Sequence, residues 1–258
     1  MVKALLILPA LFILGDASAP SNFTAQICAD RLGRPTPGAR GQPIAVLVRT
    51  NPWAMLIGGE SPRLALYDDG LVIYQRGEDY RHVRLGAREA EALRNALGIG
   101  TLACFVGHYG DTAISDQGED NLFIGRGGPM SLVSVYGDGG SALPWQVGQA
   151  LERLSSFDHP DSRPWLPERI EIVVWPYENA PDRSVQWPSD WPDLNSETTR
   201  RRPTGYSIFL PSSEFQRLVA LLGERPERGA IEINGRKWAV SPRFPFPREA
   251  VWMSAYRE

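Results

Sequence analysis

The chain has 258 residues, 43% hydrophobic and 22% charged, with a formal net charge of −3 at neutral pH. That balance excludes a disordered polar chain and gives no electrostatic drive toward nucleic acid. Of the 27 basic residues only Lys3 and Lys237 are lysines, which leaves Lys237 as the one lysine for Schiff-base chemistry past the N-terminus.

Lys3, an apolar run over residues 4–14, and the small residues Gly15, Ala17, Ser18 and Ala19 follow the order of a secretory signal. An 11-residue run is too short to cross the roughly 30 Å hydrocarbon core of a bilayer as a helix. Residues 1–17 are therefore expected to be a cleaved signal peptide, with no membrane span in the mature chain. Cleavage after Ala17 is preferred to cleavage after Ala19, because Pro20 would follow the latter. The mature protein is then expected in the periplasm or outside the cell. Two cysteines, Cys28 and Cys104, remain after cleavage, and in an oxidising compartment they are candidates for a disulfide, with two buried thiols as the alternative.

Residues 18–43, rich in proline, glycine and polar residues, read as an extended lead-in. A short apolar strand follows at 44–48. The clearest hairpin signal spans 63–75, with Asp69-Gly70 expected to form a two-residue turn. That turn would put Leu64, Leu66, Leu71 and Ile73 on one face and Ala65, Tyr67, Val72 and Tyr74 on the other, both apolar, so a sheet covered on both sides is expected. A further strand is read at 80–85 and a helix at 87–97, with Ala90, Leu93 and Leu97 on its stripe and Gly98 as its stop. A second hairpin spans 121–136, and a helix spans 145–157 with Val147, Leu151 and Leu154 facing one way.

Residues 159–167, within a stretch dense in proline and charge from Asp158, are the expected linker between an N-terminal α+β subdomain, 44–158, and a C-terminal one, 168–258. The latter opens with a buried-type strand at 170–175. A long polar loop, 176–205, holds Trp187-Pro188, Trp191-Pro192 and the run Arg200, Arg201, Arg202; at that length it is functional or mobile rather than a mere connection. A strand at 206–210 leads to a helix at 212–222, where Ser213 and Gln216 fit a capping box. The last hairpin turns at Asn234-Gly235 and pairs Glu232 with Lys237. Residues 85–98 and 210–223 align without gaps at Leu85/Leu210, Glu89/Glu214, Leu93/Leu218, Leu97/Leu222 and Gly98/Gly223. This alignment fits either two related halves or any strand followed by an amphipathic helix. The expected fold class is α+β, with antiparallel hairpins packed on about three helices in two possibly similar subdomains.

The familiar signatures of serine hydrolases, zinc proteases and thioredoxin-like proteins are absent, and the glycine cluster at 125–128 lacks the lysine of a phosphate loop. No cofactor is expected. His108 stands near Asp111, Asp116, Glu119 and Asp120, an acidic stretch whose oxygen ligands could hold Ca²⁺ or another metal, or which is a solvated loop. Six of the eight tryptophans neighbour a proline. Trp187 and Trp191 are thereby stiff aromatics suited to a protein interface or a sugar ring, or else a lid over the core.

The stretch 66–74 (Leu66, Tyr67, Asp68, Asp69, Gly70, Leu71, Val72, Ile73, Tyr74) with the strand and helix at 85–97 resembles segments of uncharacterised bacterial exported proteins. So does the Trp-Pro region leading to Gly235, Arg236, Lys237, Trp238 and to 243–247. The resemblance touches about a third of the chain and implies export, without any activity or site. The leading expectation is a non-enzymatic envelope or secreted module that binds a protein or a cell-envelope glycan through Trp187, Trp191 and Arg200 to Arg202. The rival is an exported hydrolase using His108 with the nearby carboxylates, with or without a metal.

Overall fold

The computed structural model describes residues 28, 32, 34, 38, 40–52, 60–110, 113 and 115–256. The expected signal peptide, most of the lead-in, Trp53 and Asp111 lie outside them. The chain is α+β. Its first sheet has eight strands in the order β5-β7-β6-β1-β2-β3-β4-β8. They are β1 (Pro43–Thr50), β2 (Leu64–Tyr67), β3 (Leu71–Arg76), β4 (Asp79–Arg84), β5 (Gly107–Tyr109), β6 (Glu119–Ile124), β7 (Ser131–Tyr136) and β8 (Arg163–Pro164). All pairs are antiparallel except β5 with β7.

One face of this sheet, carrying Leu47, Leu64, Leu66, Val72, Leu122 and Val133, is covered by α1 (Ala87–Leu97), the single turn α2 (Ile99–Leu102) and α3 (Trp145–Ser155). Cys28 packs into the same core and is disulfide-bonded to Cys104. Helix α1 begins where the Glu89 carboxylate accepts a hydrogen bond from the Gly86 N–H and stops where Gly98 turns left-handed at φ 61°. The expected stripe is the one that buries Ala90 and Leu97.

The first hairpin departs from expectation by one residue. Leu66 pairs with Val72 and Ala65 with Ile73, so the loop is Asp68-Asp69-Gly70, three residues instead of two. Gly70 takes φ 83°, and its N–H donates to Tyr67 O at 3.1 Å. Because side chains alternate, the extra residue reverses the faces of β3: Val72 and Tyr74 join the helix-side core, while Leu71 and Ile73 face the other way with Ala65 and Tyr67. Asp69 is spent elsewhere, on the Arg84 guanidinium at 2.7 Å.

The second sheet has the order β10-β13-β14-β9-β12-β11, from β9 (Arg169–Pro176), β10 (Val185–Gln186), β11 (Arg200–Arg202), β12 (Gly205–Pro211), β13 (Ile231–Ile233) and β14 (Arg236–Arg243). Its core face carries Ile170, Ile172, Val174, Ile208, Leu210, Ile231, Ile233, Trp238 and Val240, under Leu218 of α4 (Phe215–Glu224). Asn234-Gly235 makes the expected two-residue turn, with both φ positive at 52° and 73° and Glu232 opposite Lys237. The predicted capping box at Ser213 and Gln216 does not form: a 3-10 turn over Ser212–Glu214 precedes α4, and no side chain caps it. The two strand-helix units that align in sequence sit in different topologies. After α1 the returning hairpin joins β1 by its first strand, β6; after α4 the hairpin joins β9 by its second, β14.

Residues 158–167 carry β8, which extends the edge of the first sheet, and the Arg81 guanidinium holds Ser162 by its hydroxyl at 2.8 Å and its carbonyl at 2.6 Å. The chain beyond β14 crosses back to the first sheet. Phe246 and Trp252, the latter on the single turn α5 (Ala250–Met253), close over Val46, Val48, Tyr67, Ile73 and Phe123. The Tyr67 hydroxyl donates to Pro247 O at 3.0 Å. The first sheet is therefore covered on both faces, by helices on one and by this C-terminal strap on the other.

Candidate functional site

The long loop is fastened down. Val185 pairs with Ile231 as part of β10, and the Trp187 N–H donates to Glu232 O at 3.0 Å. Trp187 and Trp191 are 8% and 6% exposed, which corrects the expectation that they are the protein's outward contacts. Each indole N–H is satisfied internally, Trp187 by Pro192 O at 2.9 Å and Trp191 by the Glu214 carboxylate at 2.8 Å. Their rings meet edge to face at 5.0 Å over the second core. Arg217 lies 4.9 Å above Trp191 and pairs with Asp190, whose carboxyl its hydrogen bonds hold below the usual range. The proline-stiffened tryptophans are a lid, because burial gains apolar area and both N–H groups find acceptors.

The arginine run is also divided: strand alternation sends Arg201 to the side opposite Arg200 and Arg202, and of those two only Arg202 finds buried partners. Arg202 turns inward with Ser207, donating to its hydroxyl at 2.8 Å and to Glu171 at 3.2 Å. Glu171 is buried and also bonds the Arg243 guanidinium at 2.7 Å and the Ser207 hydroxyl at 2.5 Å. Burial alone would raise the Glu171 carboxyl, but the Ser207 hydrogen bond and the Arg243 charge together hold it below the ordinary glutamate range. Arg243 reaches Glu249 and Glu60 O as well, so this network ties the strap to the second sheet. Arg200 stays exposed, stacked 5.2 Å over the Phe209 ring, and Arg201 is exposed on the opposite side of the strand.

Arg200 and Phe209 open onto a groove of about 740 Å³, bounded also by Trp165, Leu166, Arg169 and Phe246. It runs from the β8 edge of the first sheet to the β11–β12 edge of the second, under the strap. Trp165 and Phe246 meet edge to face at 4.9 Å, and Leu166 is 42% exposed. Its rim carries Arg169 and Arg200 against Glu168 and Glu197. Sequence reasoning missed Trp165, Leu166 and Phe209, because their 165–169 and 209 segments only meet in the fold.

A second cleft, about 500 Å³, lies at the opposite edge of the first sheet, where β5, β7 and β6 carry His108, Ser134 and Glu119 on one face. The Ser134 hydroxyl donates to Glu119 Oε1 at 2.5 Å, and His108 Nδ1 lies 3.1 Å from that hydroxyl and 3.6 Å from Glu119. Since the hydroxyl proton goes to Glu119, His108 Nδ1 must be the donor toward Ser134. This arrangement orients a carboxylate; it does not make His108 the base for a serine nucleophile. The remaining acidic residues do not converge with it. Asp120, next along β6, points to the other face and holds Arg49 at 2.6 and 2.7 Å. Asp116 is exposed on the preceding loop. Among the described residues no three of His, Cys, Asp and Glu come together to hold a metal; Asp111, the fourth member of the expected set with Asp116, Glu119 and Asp120, lies outside them. His82 on β4 and His159, 3.9 Å from Glu89, lie away from His108.

The described residues form an α+β protein of two mixed sheets, clasped by its own strap over residues 244–256 and locked by a disulfide. No helix of the described residues is long and apolar enough to cross a membrane. No protein-family model matches the chain, and no curated protein or solved structure matches it either.

Proposed function

We propose that this is an exported, non-enzymatic binding module of the cell envelope or its surroundings, which takes an extended segment of a partner protein in the groove between the two sheet edges. The observation that carries this reading is the groove itself, about 740 Å³ with aromatic, leucine and proline walls and a charged rim. Apolar walls with a few polar groups at the margin suit a ligand that buries side chains and keeps its backbone wet. Export is supported by the signal-like N-terminus, by the disulfide, which fits an oxidising compartment, and by the resemblance to exported bacterial proteins. The role first assigned to Trp187 and Trp191 passes to Trp165 and Phe209, with Arg200 retained from the original set.

The test is selection from a random peptide display library against the mature protein, followed by titration of the enriched peptides. Leu166→Glu and Arg200→Glu are expected to weaken those peptides at least tenfold while the melting temperature holds. Failure to enrich any sequence, or equal binding by both variants, would remove the groove as the binding site. A thermal shift with cell-wall glycan fragments and not with peptides would transfer the reading to a glycan.

A further inference from the structure

We propose that the cleft at the β5 edge of the first sheet is a second binding site, specific for an organic cation, an ammonium or guanidinium group on an aliphatic stem, held by the Glu119 carboxylate. The proposal does not depend on the groove. The strand order puts β5 and β8 at opposite edges. At about 4.8 Å per strand spacing they are roughly 30 Å apart.

The first support is charge. Three acidic side chains beside this sheet are paired with arginine: Asp120 with Arg49, Asp69 with Arg84, Asp158 with Arg76. Glu119 has no arginine or lysine within ion-pair distance among the described residues. Its ion-pair neighbour among the described residues is His108, at 3.6 Å and charged only if protonated, and its charge also raises the titration of the Tyr256 hydroxyl, which burial pushes up first. The two chain neighbours Glu119 and Asp120 thus have opposite fates, because alternation along β6 sends Asp120 to Arg49 and Glu119 to the cleft.

The second support is that the carboxylate is held ready. Ser134, 5% exposed, donates to Oε1 at 2.5 Å, and the Asn121 side-chain amide, in a residue 1% exposed, donates to Oε2 at 3.3 Å. Both donors are neutral, so they fix the direction of the carboxylate without cancelling its charge. Two buried polar side chains devoted to orienting one partly exposed carboxylate are costly in a sheet face that is otherwise apolar.

The third support is the walls. Val106, Leu132 and Met130 flank the cleft, and the Tyr256 ring stands at its mouth, 42% exposed. Val106 is an exposed apolar side chain, at 48%. Such walls fit the methylene stem of a lysine or a diamine, and an aromatic ring beside the cation adds cation–π attraction. An anion would be repelled by Glu119, and an uncharged apolar ligand would bury the carboxylate without compensation.

The test uses the mature, disulfide-bonded protein. Cadaverine, Nα-acetyl-lysine amide and Nα-acetyl-arginine amide are titrated by calorimetry, with Nα-acetyl-norleucine amide as the uncharged control. Saturable binding of the cationic probes, none of norleucine amide, and at least a tenfold loss in Glu119→Gln are expected, with Asp120→Asn unchanged. Tight binding of cadaverine would assign the site to free amines; binding of the lysine or arginine amide alone would assign it to a side chain of a partner protein. Either source supports the proposal. Equal binding of norleucine amide, unchanged binding by Glu119→Gln, or no saturable binding of any cation would overturn it. Should Glu119→Gln fail to fold, salt dependence of the wild type decides: affinity that does not fall as ionic strength rises would overturn the proposal.

Discussion

Single side chains carry much of the coupling between the two sheets. Arg243 is 8% exposed, and through Glu171 and Glu249 it joins β9, β14 and the strap. Replacing it with alanine leaves Glu171 buried without its strongest partner, which should cost about 3–5 kcal/mol; urea denaturation measures the loss. Acid acts on the same group. The folded Glu171 carboxyl titrates below its unfolded value, so its contribution is complete above the ordinary glutamate range and disappears as pH falls through the folded value. Melting temperatures of wild type and Glu171→Gln should therefore converge on acidification below that range and separate above it. None of this was visible in the sequence, where Glu171, Ser207 and Arg243 are scattered polar residues in otherwise apolar strands. Trp187 and Trp191 show the converse. Their prolines suggested stiff aromatics, which serve a lid as well as an interface, and the indole partners Pro192 and Glu214, with the burial of both rings, make them a lid.

Among the elements, periodicity served well where one face met one core. Helix α1 occupies 87–97 as read, and the Asn234-Gly235 hairpin has the expected register. The hairpin at Asp68-Asp69-Gly70 was misread because both faces of β3 are apolar, so a slip of one residue left no polar side chain in a wrong place to reveal it. The two turns should respond differently to substitution. Gly70→Ala forces a side chain at φ 83° with its Cβ only 2.7 Å from Leu85 O, and should cost on the order of 1–3 kcal/mol by thermal denaturation. Asn234→Gly keeps the turn, since glycine accepts the same φ, but removes the amide that bonds Leu194 N–H at 3.1 Å and Asp193 at 2.7 Å. Its expected signature is faster hydrogen exchange over 193–199 with the hairpin unchanged. The short strands β5, β8, β10 and β11 escaped notice because two or three residues leave no period to detect. Both clefts lie beside such strands, so they were hidden too.

For the molecule as a whole, the α+β class followed from hairpin and helix signals alone, but the strap did not, since residues 248–256 are too short a stretch to show a period and 243–247 entered only through the resemblance. The disulfide closes a span of 76 residues. In the chain-entropy model that should stabilise the fold by about 4.5 kcal/mol, an upper figure. The Cys28→Ala/Cys104→Ala double variant is expected to lose most of that in denaturant titration while keeping the wild-type circular dichroism.

The strap has a consequence for how the protein is made. The face formed by Val46, Tyr67, Ile73 and Phe123 is built early in the chain but is covered by residues 244–256. Until that stretch leaves the ribosome, the first sheet can be paired and helix-backed and still present a bare apolar surface. The closing step is therefore fixed by the direction of synthesis, because residues 244–256 are made after the face they cover. A chain interrupted just before Phe244 would be a sticky intermediate held short of that step, not a smaller working protein.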